Sequence, residues 1–317
     1  MSVARLLLKA RPVPDQLADR LRPPLSDGLE LYLDAQDLVG PCWLAILVER
    51  LAAFDRPSDF VFLVEAPIRT IDGRFFDLTA DDAGHRETLR RVVEYGARIG
   101  ARAAVLHCIA PQADLDGLDA AAVRRARRRA LPLVRYYVDL CRAHGLIPTL
   151  ENIPPVARMR EGAWLTSAIG VVAEDLVVLT EAVPGLGVTL DLSHAQLALN
   201  ASRTPLWLLP PVLRRLGRHL RQRSPVRDLE AYLACLGERV VNVHLSNATG
   251  LLGEGLPYHQ GEIALDRLAR RLLVSVPYIV TEILEPDPAR SPQMRAAWRR
   301  LCALRAEVAG AEGDRGG

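Results

Sequence analysis

Six apolar runs in this chain each end on a side chain that can bind a divalent cation or move a proton. Phe60–Glu65, Ala103–His107, Ile147–Glu151, Gly187–Asp191, Val240–His244 and Tyr278–Glu282 close on Glu65, His107, Glu151, Asp191, His244 and Glu282. His194 follows Asp191 by three residues in Gly187-Val-Thr-Leu-Asp-Leu-Ser-His-Ala195, and His259 lies in the segment after the Val240 run. Four of the seven histidines fall in this set, so imidazole is concentrated where the carboxylates are. Carboxylate oxygens mixed with imidazole nitrogens suit Mn²⁺, Mg²⁺, Co²⁺ or Zn²⁺ and are too hard for copper(I). Any one of these residues, taken alone, reads equally well as a solvated loop residue beside a helix cap. Six in the same register do not.

The elements that must position them follow from the spacing. Two earlier runs, Arg5–Lys9 and Leu29–Asp34, bring the apolar runs to eight, and amphipathic stretches such as Thr88–Gly100, Ala120–Gly145, Val171–Val183 and Leu265–Leu273 separate them. Gly100 and Gly145 sit where helices hand over to the next run, as glycine C-caps do. Short β-branched and aliphatic runs without alternation are strands covered on both faces. Eight strands alternating with helices predict a single α/β barrel of the (β/α)8 type over residues 1–307, with extended loops after strands 3 and 6. No Gly-x-Gly-x-x-Gly follows an early strand to favour an open doubly wound sheet. In a barrel the strand ends converge at one mouth, so ligands remote in sequence become neighbours.

Two connections are long. The segment from Pro67 to Gly84 carries Phe75-Phe76, and an insertion at about 201–227 carries Trp207 and Arg214, Arg215, Arg218, Arg221, Arg223 and Arg227. Both follow strands and are lid or substrate-selecting candidates on the active face. Residues 308–317, with three glycines in the last six, read as a disordered tail.

The 317 residues carry a formal charge of +2, so no global field demands a polyanionic partner. Lys9 is the chain's sole lysine. The arginines Arg124, Arg125, Arg127, Arg128 and Arg129 fall in a helical stretch and read as a solvated outer face rather than a nucleic-acid surface. Five scattered cysteines, Cys42, Cys108, Cys141, Cys235 and Cys302, lack zinc-type spacing and point to a reducing compartment. With no signal-peptide pattern and no run long enough to span a bilayer, the expectation is a cytoplasmic protein without membrane contact.

Leu150-Glu151-Asn152, Thr189-Leu-Asp191-Leu-Ser-His194, Asn242-Val-His244 and Thr281-Glu282 resemble the xylose-isomerase-like TIM-barrel superfamily, which holds sugar isomerases and epimerases and the endonuclease-IV-type apurinic-site nucleases. The resemblance implies one divalent ion, Mn²⁺ or Zn²⁺ with Mg²⁺ or Co²⁺ as further options, held by Glu151, Asp191, His244 and Glu282. It implies Glu151 and Glu282 as the proton-transfer pair of an isomerase or epimerase that works on a small sugar or sugar phosphate through an enediolate. His194 and His259 would contact substrate, and Lys9 at the end of the first strand is a further substrate-binding candidate. The epimerase branch places an Arg shortly after the seventh-strand His; here Leu245–Gly250 contains none. The nuclease branch implies a second metal at Glu65 and His107 and, as the alternative function, a multi-metal phosphodiesterase. Barrels of this kind often pair, so a homodimer is expected; the partner otherwise is a small molecule.

Overall fold

The computed structural model describes residues 3–112, 115–158 and 164–313. Eight parallel strands close into a barrel in chain order: β1 Arg5–Ala10, β2 Gly28–Tyr32, β3 Val61–Glu65, β4 Ala103–His107, β5 Ile147–Glu151, β6 Gly187–Asp191, β7 Val240–Leu245 and β8 Tyr278–Thr281. Closure is made by β1 against β8, with Arg5 opposite Tyr278 and Leu8 opposite Thr281. Around it lie α1 Pro14–Arg20, α2 Trp43–Ala52, α3 Ala83–Ile99, α4 Ala120–Ala143, α5 Ala173–Ala182, α6 Leu192–Arg203, α7 Pro211–Arg223, α8 Leu229–Leu236, α9 Leu265–Ser275 and α10 Pro292–Gly313. The (β/α)8 expectation is met. Gly100 ends α3 in the left-handed region at φ 70°, where a side chain would be strained.

Strand parity divides the molecule. Leu6 and Leu8, with their counterparts on other strands, join the large apolar layer between barrel and helices. The opposite parity fills the barrel, where Leu7, Val61, Leu63, Ala103 and Val280 form a small separate apolar floor. Above it the interior becomes polar: the Thr149 and Thr189 hydroxyls meet at 2.7 Å, and Asn242 Nδ2 donates to Glu30 at 2.8 Å. One step further along the same parity come Lys9, Glu65, His107, Glu151, Asp191, His244 and Glu282. A period of two carries the side chains from dry floor to ionisable rim.

The expected long loop after β6 is mostly helix. α6 begins directly on Asp191, whose side chain caps it by accepting from the His194 backbone N–H at 2.7 Å, and α7 covers most of the rest. Its arginines are largely structural. Arg221 donates to the carbonyls of Ser202 and Thr204, Arg223 bonds the fully buried Asp175, and Arg127 of α4 bonds the same carboxylate at 2.8 Å. After β3 the chain forms an ordered loop, bridged Arg69 to Phe75 and anchored by buried Phe76 on His85. Residues 308–313, expected as the start of a disordered tail, are instead the end of α10, because they continue a helix already docked on the barrel; residues 314–317 lie outside the described residues. Among the described residues no helix is long and apolar enough to cross a membrane.

α10 packs on β1, β8 and α9 and so covers the seam of the barrel. Arg295 fixes it there, buried and donating to the carbonyls of Asp19, Arg20, Arg22 and Pro24. Arg295→Ala leaves these acceptors without their donor and is expected to cost about 2 kcal/mol. A lowered urea midpoint at unchanged slope checks this; an unchanged midpoint refutes it.

Candidate metal centre

The strand ends meet at the mouth as expected. One ligand atom from each of Glu151, Asp191, His244 and Glu282 lies within 4.8 Å of the others. His244 is central: its Nδ1 stands 2.7 Å from Glu282 and 3.4 Å from Glu151. Its other nitrogen, Nε2, lies 2.7 Å from Glu30 Oε1. A carboxylate behind a histidine fixes ring orientation and leaves the front nitrogen for an ion. Asn152 adds a second brace, donating to the Asp191 carbonyl at 3.0 Å and accepting from the Asp191 N–H at 2.7 Å. Glu151 Oε2 is buried and accepts no hydrogen bond. A buried, unpartnered carboxylate oxygen beside three further hard donors fits a divalent cation.

The surrounding charges are dense. Lys9 Nζ bonds Glu282 at 2.5 Å, contacts Glu65 and lies 3.6 Å from Glu30. Burial alone would lower its ammonium, but Glu282, Glu65, Glu30 and Glu151 outweigh this and hold it well above the usual lysine range. Lys9 thus stands in the site as the counter-ion of the carboxylates. Burial would likewise raise Glu151, yet His244 and His107 hold it down at about 2. Burial, with Glu282 and Glu151 nearby, pushes Asp191 up to about 6 against the pull of His194. Glu65 is raised well above the carboxylate range by burial and neighbouring carboxylates, against the pull of Lys9. More negative charge converges here than the protein's own cations neutralise.

Glu65 and His107 also come together. His107 Nε2 lies 3.4 Å from Glu65 and 3.7 Å from Glu151, and one atom from each of the three falls within 4.8 Å of the others. His194 reaches the mouth as well, with Nδ1 2.9 Å from the Asn152 carbonyl and 3.5 Å from Glu151, and Nε2 3.5 Å from Glu254.

His259 does not reach it. Asn247 pins the loop by donating to the carbonyls of Tyr258 and Ile263 and accepting from the Ile263 N–H. Tyr258 is thereby buried and its neighbour His259 turned to solvent, stacked edge-on at 5.0 Å. Gly261, at φ 146°, lets the loop lie against Asn247, where a Cβ would stand 2.3 Å from Oδ1. Two acidic residues of the site were not anticipated. Glu30 sits inside the leucine run of β2, where a lone carboxylate among apolar residues was the available signal. Glu254 comes from the hairpin of Asn247–Thr249 and Gly253–Leu256. Tyr258 and Phe76 are anchors, whereas Trp207 is 77% exposed on the turn between α6 and α7.

Two outcomes follow for ion binding. Glu30→Gln is expected to weaken divalent-ion affinity about ten- to a hundredfold, as loss of a histidine's orienting carboxylate does. Calorimetric titration with Mn²⁺ reads it, and affinity equal to the wild type's would show that Glu30 does not orient His244. His259→Ala should leave that affinity unchanged.

No curated protein sequence matches the chain. Among solved structures, L-ribulose 3-epimerase superimposes with a TM-score of 0.62 at 16% identity, covering 98% of this chain and 97% of the other. The TTHB071 protein from Thermus thermophilus, soaked with ZnCl2, gives 0.59 at 21% identity, covering 96% and 98%. An AP endonuclease, family 2, from Brucella melitensis gives 0.56 at 16% identity, covering 96% and 99%. At such identities the likeness is one of fold. The family profile described as xylose isomerase-like TIM barrel matches residues 27–301, and with the closed barrel and its converging strand ends this chain belongs to that family.

Proposed function

We propose that the protein is a metal-dependent isomerase or epimerase of a small polyhydroxylated carbonyl compound. The observation that carries this reading is the meeting of Glu151, Asp191, His244 and Glu282 within 4.8 Å, with Glu151 and Glu282 in the wall of a cavity of about 490 Å³. That volume is in the range of small-molecule sites. A divalent ion held by the four would polarise a substrate carbonyl and make the adjacent C–H acidic. Manganese or zinc suits the donor set.

Glu151 and Glu282 supply the two positions for the proton. They approach from β5 and from the end of β8, with His244 between them. One carboxylate takes the proton from carbon and the other returns a proton to the opposite face or to the neighbouring carbon. Lys9, bonded to Glu282, stabilises the ionised form of that carboxylate and can share its proton. His194, tethered to the Asn152 carbonyl through Nδ1 and facing Glu254 through Nε2, would contact a substrate oxygen at the mouth. The apolar stretch of the wall, including Ile109, Ile153 and Leu284, limits water at the reacting carbon.

A second reading rests on Glu65, His107 and Glu151, which could hold a further ion and so build a multi-metal phosphodiesterase. The contact of Lys9 with Glu65 supports the mononuclear reading instead, because a tethered ammonium already supplies positive charge there.

Glu151→Gln and Glu282→Gln should each lower turnover about 10²- to 10⁴-fold, the usual contribution of a positioned acid or base. Exchange of substrate carbon-bound hydrogen in D2O reads this directly, and full exchange in both variants refutes the mechanism. His107→Ala separates the readings: an isomerase keeps one ion and its turnover, whereas a multi-metal hydrolase loses an ion and its activity.

A further inference from the structure

A second hollow, of about 390 Å³, lies outside the barrel between α4 and α5. Its wall is made by Ala121, Arg124, Arg125, Arg127 and Arg128 of α4 and by exposed Val178 of α5, and among the described residues no acid lines it. Ala121, Arg124, Arg125 and Arg128 follow the i, i+3, i+4, i+7 spacing that stacks side chains on one stripe of a helix. Arg127 flanks the stripe, held at 2.8 Å by buried Asp175, a carboxylate it shares with Arg223.

The pairing of these arginines sets them apart. On α3, Arg86 bonds Asp81, Arg90 bonds Glu87 and Glu94, and Arg91 bonds Glu87. The sequence of α4 offers no acid between Asp119 and Asp139. Among the described residues Arg124, Arg125 and Arg128 form no ion pair and donate no side-chain hydrogen bond. Asp119 caps α4 by accepting from the Ala122 N–H at 2.6 Å; its carboxylate is held down first by that bond and less by Arg125 and Arg124, with which it forms no ion pair. Like charges four residues apart on a helix repel, so Arg124 and Arg128 oppose each other with no anion of the chain between them. A guanidinium fork matches paired phosphate oxygens, and several forks around one hollow match more than one phosphate group. The volume is that of a small-molecule site, whereas a nucleic-acid strand needs a groove that tracks its backbone.

We propose that the hollow between α4 and α5 is a binding site for a compact ligand carrying a diphosphate group, gripped by Arg124, Arg125 and Arg128 with Arg127 behind them. Val178 and Ala121 give an apolar floor for any organic group attached to the phosphates. The site is separate from the metal centre and rests on no reading of it.

The test is calorimetric titration of the full chain, at constant ionic strength, with pyrophosphate, ADP and sulfate. Pyrophosphate and ADP are expected to bind about tenfold or more tighter than sulfate, because a diphosphate engages several guanidinium forks at once. Equal affinities for the two assign the hollow to the diphosphate alone, while tighter ADP adds the nucleoside on Val178. Arg124→Gln combined with Arg128→Gln should weaken pyrophosphate about tenfold or more without lowering the urea midpoint, since both side chains are exposed. Arg90→Gln, which removes a paired arginine of α3, should leave the affinity as it is. Pyrophosphate captured by an ion at the barrel mouth would bind the double variant as tightly as the wild type, and that result overturns the proposal. So does sulfate binding as tightly as pyrophosphate to the wild type, a comparison that needs no variant. A thymidine oligonucleotide that outcompetes ADP for these arginines would make the face a nucleic-acid surface and overturn the compact ligand.

Discussion

The barrel has to bury a cluster of carboxylates at one end without enough cations of its own to balance them. Glu30, Glu65, Glu151 and Asp191 are all nearly or fully buried, and Glu282 is held between Lys9 and His244. A buried carboxylate without a partner is costly, and the cost falls only through pairing, protonation or a bound cation. Lys9 and His244 pair with the carboxylates and are favoured in their charged forms, while burial and neighbouring carboxylates favour the uncharged forms of Asp191 and Glu65. A divalent ion at the four-ligand set is the remaining remedy. Much else follows from this constraint, including the orienting role of Glu30, the capping of α6 by Asp191 and the placement of the only lysine.

The barrel was readable from the sequence because each strand is a compact apolar run and each helix a longer amphipathic one. The eight observed strands match the eight runs to within a residue or two at either end. The rim of the site was readable for the same reason. The last residue of a strand on the inward parity must point into the mouth, so Glu65, His107, Glu151, Asp191, His244 and Glu282 could be picked by position alone. Glu30 escaped because it lies mid-strand, one level lower, where apolar packing is the rule. Its register opposite Lys9 on β1 is visible only once the barrel closes.

Loop residues obey no such parity. His259 has the right chemistry and follows the right strand, but Asn247 fixes the loop so that Tyr258 takes the inward position. Glu254 takes the place near His194 because a short hairpin folds back over the mouth, an arrangement set by Gly253, Gly255 and long-range packing on α6. The arginines of the insertion show the same limit. Their number draws attention to anion binding, yet Arg221 and Arg223 serve carbonyls and a buried aspartate that tie α7 to the barrel's helices.

Lys9 is where these threads meet. Within the family fold, a cluster such as Glu65, His107 and Glu151 can be balanced by a second ion or by a cation carried on the chain. The first strand here delivers an ammonium that contacts Glu65 and Glu282 together and lies near Glu30. An ammonium carries half the charge of a divalent ion and offers no open coordination position, so it can neutralise carboxylates but cannot activate a water or bridge a phosphoryl oxygen. A site balanced in this way has part of the charge compensation of a two-metal centre but no second ion to activate a water. On the isomerase reading proposed above, a single lysine at the end of β1 would supply this charge in place of a second ion and so favour moving protons on carbon over phosphoester hydrolysis.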